Sequence, residues 1–532
     1  GRAQQPDGYL NTYYTVKEPG NRWTNLRDCH ELYCAGHMME AAVAYYEATG
    51  KAELLNIMTR MAEHIDTRLG PEKEKLQGIP GHQGIELALI RMYEVTDNPL
   101  MLKLAKYFID ERGKTPSFFD IEAEKRGGTH HFPIHLLGHS YAQNHLPVRE
   151  QDALEGHSVR ALYMATGMAD VARITGDKTL LEACRKLFNN LVRHRMYITG
   201  GVGSTHIGEA FTFDDDLPND TMYNETCASI ALCFFTRAML QLELDSRYAD
   251  AMELALYNTC IAGMSLDGHN FFYVNPLEMW PEASKKDPAK RHALPVRPAW
   301  FGCACCPPNL ARLVMSLVKY AYGYDDEAIY VHQYISGKVK LGRHSLSLKT
   351  KYPHEGSMYF TLSGGDYVLY LRIPSYVKNG FSLTINGKPA EYKMKNGYAV
   401  IKRSWSDKDE LVLSFSLATR RVYPNPRLRE NVGRVALMRG PIVYCLEEAD
   451  NGPQLRGIAL KKDALINESW QKDKLGGILE LHAEGSQLVA QDEGEQYLSE
   501  APGRTDKTLS FIPYYTWANR GENEMIVWVL ET

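Results

Sequence analysis

Long apolar runs are missing from this chain. No stretch approaches the roughly 18 apolar residues a membrane helix needs, so a helical membrane span is excluded. A dominant charge is missing too: 60 Lys and Arg stand against 65 Asp and Glu, a net charge of −5. That balance gives no electrostatic case for nucleic acid or an anionic surface as partner. Ten cysteines in 532 residues are too sparse for a disulfide scaffold. The paired CxxC knuckles of a zinc finger are absent. The glycine-rich segment Thr199-Gly200-Gly201-Val202-Gly203-Ser204 is followed by no Lys-Ser/Thr and lies in no βαβ pattern, which argues against a phosphate loop. The chain opens Gly1-Arg2-Ala3 with no initiator Met and no signal-peptide pattern. It reads as a mature or trimmed product and says nothing about compartment.

What is present is ordinary in bulk and unusual in one place. Hydrophobic residues make up 44% and charged residues 23%, as in soluble globular proteins, and the length predicts about two to four domains. The unusual place is Cys303-Ala304-Cys305-Cys306-Pro307-Pro308-Asn309. A Pro pair fits the first turn of a helix, where the missing N–H costs nothing. A thiol at that position feels the positive end of the helix dipole, which favours thiolate. Such a group suits a soft metal, a nucleophile, or both.

The first three hundred residues repeat one pattern of apolar helix, short turn and apolar helix. The turns fall at Thr49-Gly50-Lys51, Thr96-Asp97-Asn98-Pro99, Thr175-Gly176-Asp177 and Leu244-Asp245-Ser246. Each carries Gly, Asp or Asn where a helix must stop, and each flank has the 3.6 period. Antiparallel helix pairs with long, unequal loops predict an (α/α) toroid over a tightly spaced α-solenoid. From about Glu327 the texture changes to strand alternation, as in Ala328–His332, Ser345–Lys349 and Tyr367–Ile373, with Asn386-Gly387 as a hairpin turn. The expected division is a helical domain over 1–325, a β-sandwich over 326–428 and a second β-sandwich over 429–532, closed by a strand at Met525–Leu530.

The polar residues that need explaining fall at comparable places on the hairpins. His30, His82 and His157 precede first helices, as do Glu225 with Cys227 and Cys305 with Cys306. In a toroid the inner helices run parallel, so these residues would converge on one mouth. Taken singly, each His reads equally as a cap or a core residue; the recurrence is what points to a shared cavity. Glu225, Cys227, Cys305 and Cys306 supply one oxygen and three sulfurs, a plausible tetrahedral Zn2+ set. A structural zinc or a disulfide pair is the plainer alternative, and Cys303 is either a spare or a disulfide partner. Glu209, in Gly208-Glu209-Ala210-Phe211 after the glycine segment, is the candidate carboxyl for acid–base work, presented on a flexible loop. The acidic run of Asp214, Asp215, Asp216 and Asp220 either helps to place Glu225 or is a solvated loop. Arg149 and Arg160 either bind an anionic substrate group or serve helix surfaces.

At these residues the chain resembles the β-L-arabinofuranosidases of glycoside hydrolase family 127 and the related family 146. The matching segments are DGYLNTYYT, CHELYCAGHMMEAAVAYYEATG, GHSVRALYMATGMADVA, YITGGVGSTHIGEAF, DLPNDTMYNETCASIAL, FFYVNPLE and CACCPPNLARL. The resemblance implies an (α/α)6 barrel followed by two β-sandwich domains. It implies a retaining glycosidase with Cys305 as nucleophile, Glu209 as general acid/base, and zinc on Glu225, Cys227, Cys305 and Cys306. It also implies that His30, His82, His157 and Tyr273 hold the sugar hydroxyls. The four hairpins and the helix after Pro307 fall short of a six-hairpin barrel, so the toroid is expected to lack its N-terminal helices. The expected activity is release of terminal β-L-arabinofuranose from plant glycans, with an arabinofuranose-containing oligosaccharide as partner. The alternatives are hydrolysis of another, possibly acidic, pentofuranoside from pectin, or a non-catalytic zinc protein that binds carbohydrate. Oligomeric state is not legible in the sequence.

Overall fold

The computed structural model describes residues 1–377, 380–407, 409–489 and 496–532. They divide into two compact units, one of 1–194 with 207–212 and 241–243, the other of 195–206, 213–240 and 244–532. No helix among the described residues is long and apolar enough to cross a membrane.

The first unit is built from helix pairs: α1 (Glu31–Thr49) with α2 (Glu53–Arg68), α3 (Ile85–Thr96) with α4 (Pro99–Glu111), and α5 (Ser158–Thr175) with α6 (Lys178–Asn190). The turns explain themselves. Gly50, Asp97 and Gly176 end the first helices in the left-handed region and return an N–H to the last turn. Asn98 and Asp177 then cap the second helices, accepting from the Leu100 amide and from the Thr179 and Leu180 amides. The first helices pack side by side, α1 on α3 and α3 on α5. Two glycines permit the close approach. A Cβ on Gly36 would lie 2.8 Å from the Ile85 Cα, and one on Gly167 would lie 2.9 Å from the Glu86 Cβ.

The second unit holds a further pair, α7 (Thr226–Leu242) and α8 (Ser246–Ala255), and then α9 (Cys306–Met315) with Pro in its first turn. Its β-rich part begins with two sheets that share one core. In the first, the order is Lys393–Lys395, Tyr398–Trp405, Gly365–Arg372, Ala328–Val331, Tyr322–Tyr324. The other sheet runs from Gly337–Leu341 to the hairpin of Phe381–Ile385 with Lys388–Pro389. That hairpin turns on Asn386 and Gly387, both with positive φ, as its sequence predicts. Ile329, Leu369 and Ile401 face Leu348, Phe360 and Leu411 in the shared interior.

The last sheet differs from expectation in detail. The strand Thr419–Val422, ahead of Arg429, already pairs with Arg434–Arg439. The tail is two strands, Met525–Ile526 and Val529–Glu531, where one closing strand is expected. They take different partners: Met525–Ile526 pairs with Ile442–Glu447 and with Glu278–Met279 from the helical region, and Val529–Glu531 with Arg434–Arg439. A continuous apolar run reads as one strand because periodicity carries no information about a change of partner.

A buried ion pair fastens α8 to the first of these sheets. Arg372 is fully buried and donates to Asp250 at 2.6 Å and to Glu253. The Tyr352 and Tyr376 hydroxyls also donate to Glu253, at 2.6 and 3.2 Å. Removing one partner of a buried pair leaves an uncompensated charge, at about 3–5 kcal/mol. Arg372→Met is therefore expected to lower the thermal midpoint by several degrees. Arg149→Ala, which breaks half-exposed pairs to Asp110 and Asp177, is expected to cost about 0–1 kcal/mol, with both shifts read by calorimetry.

Candidate active site

In the second unit, α7 and α9 bring a carboxylate and three thiols together. Glu225 immediately precedes α7, and its backbone bridges to Val274. The surrounding bonds form a zip: the Thr226 amide donates to Tyr273 O at 2.9 Å and the Thr226 hydroxyl to Phe272 O at 2.8 Å. Asn275 Nδ2 donates to Asn224 O at 2.9 Å and to Thr226 Oγ1 at 3.0 Å. Cys305 is the residue that caps α9, and Cys306 is its first residue. One ligand atom from each of Glu225, Cys227, Cys305 and Cys306 lies within 4.8 Å of all the others. Cys227 Sγ is 3.5 Å from Cys306 Sγ, and Cys305 Sγ is 3.8 Å from Cys306 Sγ and 3.6 Å from Glu225 Oε1. Three soft donors and one carboxylate, largely withdrawn from water, fit Zn2+ by donor chemistry.

The three thiols differ in character. Burial pushes Cys227 and Cys306 well up, toward the neutral thiol. Cys305 is pulled down to about 2 by hydrogen bonds from Cys227 and Cys306, then from Tyr273. Tyr273 Oη stands 3.3 Å from Cys305 Sγ. Tyr273, expected among the sugar-holding residues, thus lies against the thiol. Cys303 is exposed, and all ten cysteines are free thiols.

In the first unit, three imidazoles meet where the first helices start. Ring centroids are 5.7 Å apart for His30 and His82 and 5.5 Å for His82 and His157. His30 and His157 occupy N-cap positions, while His82 stands three residues ahead of α3 on an irregular segment capped by Gly84. His30 Nδ1 faces Asp28 O at 3.1 Å and His82 Nδ1 faces Gln83 O at 2.7 Å, so both must donate there. Their Nε2 atoms are left as acceptors. His157 has the opposite arrangement: Nδ1 accepts from the Arg160 amide, and Nε2 pairs with Glu209 Oε2 at 3.0 Å.

Glu209 closes a short turn, Ile207–Glu209, in a left-handed conformation with φ +53. Its neighbours are zipped to the start of α5: Ala210 bridges to His157, the Ser158 hydroxyl donates to Glu209 O at 3.1 Å, and the Phe211 amide donates to Gly156 O at 2.9 Å. These contacts hold the positive φ of this non-glycine residue in place.

Two other sequence expectations change. The glycine segment expected to be flexible is buried and hydrogen-bonded within the second unit. The Tyr197 amide donates to Gly201 O, and the Tyr223 and Asn224 amides both donate to Gly203 O. A Cβ on Gly200 would lie 2.4 Å from the Ala255 amide and one on Gly201 2.8 Å from Asn224, so these glycines serve close packing. Three members of the acidic run are ion-paired: Asp214, Asp215 and Asp220 with Arg195, Arg427 and Lys290. Arg160 is buried, lies over the Tyr141 ring and donates to Gly81 O at 2.9 Å.

Comparison with known proteins gives the family. Residues 1–319 match the catalytic-domain model of the glycoside hydrolase family 127 β-L-arabinofuranosidases. Residues 328–417 match the middle-domain model and 419–530 the C-terminal-domain model of that family. The chain belongs to glycoside hydrolase family 127, and it is a glycoside hydrolase. The non-reducing end β-L-arabinofuranosidase of Bifidobacterium longum subsp. longum is 39% identical over 99% of this chain and 83% of its own length. A crystal structure of a family 127 β-L-arabinofuranosidase from Geobacillus stearothermophilus T6 is 51% identical with a TM-score of 0.95, covering 100% of this chain and 85% of that one. A further family 127 β-arabinofuranosidase is 36% identical with a TM-score of 0.88, covering 100% and 82%.

Burial, then Arg160, depresses His30 from 6.5 to about 4, and burial lowers His82 further. The unfolded chain therefore takes up protons before these groups do. Their contribution to stability is complete above about pH 6.5 and is lost as pH falls from there toward 4. His30→Asn, which retains a donor for Asp28 O, is expected to flatten the fall in thermal midpoint between pH 7 and about 4.5.

Proposed function

We propose that this chain is a retaining exo-hydrolase of terminal β-L-arabinofuranose, with Cys305 as nucleophile and Glu209 as general acid and base. The helical domain is proposed to be an (α/α)6 toroid that lacks its N-terminal helices, and the two β-rich regions to be sandwiches. The observation that carries the reading is the packing of Glu225, Cys227, Cys305 and Cys306 within 4.8 Å. Zn2+ bound by these four residues would supply positive charge that holds the thiols deprotonated. The relatives named as β-L-arabinofuranosidases support the sugar.

The chemistry follows from the residues. The Cys305 thiolate attacks the anomeric carbon, forming a C–S bond as the C–O bond to the leaving group breaks. Glu209 gives its proton to that oxygen. Water then attacks the thioglycosyl carbon, Glu209 takes the water proton, and the C–S bond breaks. Two inversions leave the configuration retained. The neutral His30 and His82, with Nδ1 committed to backbone carbonyls, offer Nε2 as acceptors for sugar hydroxyls. His157 adds a positioning role by fixing the Glu209 carboxylate. An acidic substrate draws no support from Arg149 or Arg160, whose guanidinium groups are engaged within the protein.

Cys305→Ser is expected to abolish turnover, and mass spectrometry after a mechanism-based furanosyl inhibitor should show the label on Cys305 in the wild type. Label on another residue would refute the nucleophile. Glu209→Gln should lose roughly 10²–10⁴-fold on a disaccharide and clearly less on a p-nitrophenyl glycoside, whose leaving group needs little protonation. Metal analysis should find zinc in the wild type and little in Cys227→Ala.

A further inference from the structure

A run of aromatic rings leads from the thiol cluster to the surface, and nothing derived so far uses it. Tyr273 touches Cys305 through its hydroxyl. Its ring meets Phe301 at 5.7 Å, Phe301 meets Phe271 at 5.0 Å, and Phe271 meets Trp300 edge-on at 6.5 Å. Two of its inner rings are buried and its last ring is open. Cys306, Phe271 and Tyr273 are 1%, 7% and 8% exposed, whereas Trp300 is 70% exposed.

The segment that presents Trp300 is built outward from a fixed base. Arg297 is buried, donates to Ala262 O at 2.9 Å and Trp517 O at 2.7 Å, and lies over the Phe272 ring. The Phe271 amide then holds Pro298 O at 3.0 Å. Five residues after Trp300 the chain reaches Cys305 and the start of α9. A Cβ built on Gly302 meets nothing within 4 Å, so the space in front of this turn is open. A fully buried Trp contributes one of the largest apolar surfaces a side chain has, about 150–250 Å². Trp300 instead offers an open aromatic face that ring contacts join to the thiol cluster.

We propose that Trp300, backed by Phe271 and Phe301, is the platform for the first sugar ring of the leaving group. This rests on Cys305 being the nucleophile. An enzyme that removes a terminal sugar holds that sugar at the closed end of its site and the remaining glycan at the open end. Tyr273, buried against the thiol, and Trp300, exposed at the far end of the run, have that polarity. The C–H face of a sugar ring is apolar and flat, and an indole held on a fixed turn covers it with little loss of side-chain freedom. Energy gained there is remote from the bond being broken and assists catalysis by orienting the leaving oxygen.

The test compares a β-L-arabinofuranosyl disaccharide with methyl β-L-arabinofuranoside, whose leaving group has no ring. Trp300→Ala is expected to lower kcat/KM at least tenfold more on the disaccharide than on the methyl glycoside, and Trp300→Phe to recover most of that difference. Equal losses on both substrates, or no loss on the disaccharide, would overturn the platform. Cys305→Ser is assayed in parallel on both substrates. Turnover surviving in that variant would overturn the nucleophile and with it the orientation of the platform. A Trp300 effect equal on both substrates, with Cys305→Ser inactive, removes the platform alone.

Discussion

Four side chains that can each become anionic share a volume in which their ligand atoms all lie within 4.8 Å. Two unit charges about 4 Å apart repel by roughly 1 kcal/mol in water and by about 4 kcal/mol at the effective dielectric of a protein surface. Without a cation, the cluster can hold little charge. Cys227 and Cys306 are driven toward neutral thiols by burial, and the Cys305 sulfur collects hydrogen bonds from its neighbours. Holding such groups together requires a rigid frame. The bridge from Glu225 to Val274, with the Thr226 and Asn275 bonds, supplies that frame from two segments some fifty residues apart.

The histidine cluster of the first unit is held neutral in a different way. Burial keeps His30 and His82 neutral, and one backbone carbonyl beneath each ring decides which nitrogen stays open. The helix frame makes this possible, because Gly36 and Gly167 let α1, α3 and α5 approach closely enough for their starts to meet. Small residues deep in the helices thus govern distances between imidazoles at the helix starts.

Much of this was legible in the sequence where the causes are local. Helix stops at Gly50, Asp97 and Gly176, the caps at Asn98 and Asp177, the Pro pair opening α9 and the Asn386-Gly387 turn all depend on a few adjacent residues. The thiol and carboxylate set was legible as a list, because few other chemistries use those residue types together. What stayed hidden depends on distant partners. Gly200 and Gly201 look like a flexible loop until Ala255 and Asn224 are seen against them. The acidic run looks solvated until Arg195, Lys290 and Arg427 are found beside it. Tyr273 carries no sign in FFYVNP that its hydroxyl meets a sulfur, and Trp300 reads as one more apolar residue until its exposure is known.

The adjacent cysteines show why position along a helix is not enough to assign a role. Cys305 and Cys306 stand at the same helix start and feel the same dipole, which alone would favour thiolate at both. Solvation separates them. Cys306 is the first residue of α9, is 1% exposed and has Cys227 against its sulfur. Cys305, one position earlier, remains partly open and has the Tyr273 hydroxyl as an additional donor. Only a sulfur that a sugar carbon can reach along the line of attack can act as nucleophile, whatever its acidity. By that criterion the two thiols are distinct even though both belong to the cluster that would hold the metal. The aromatic run begins on the open one, through the Tyr273 hydroxyl.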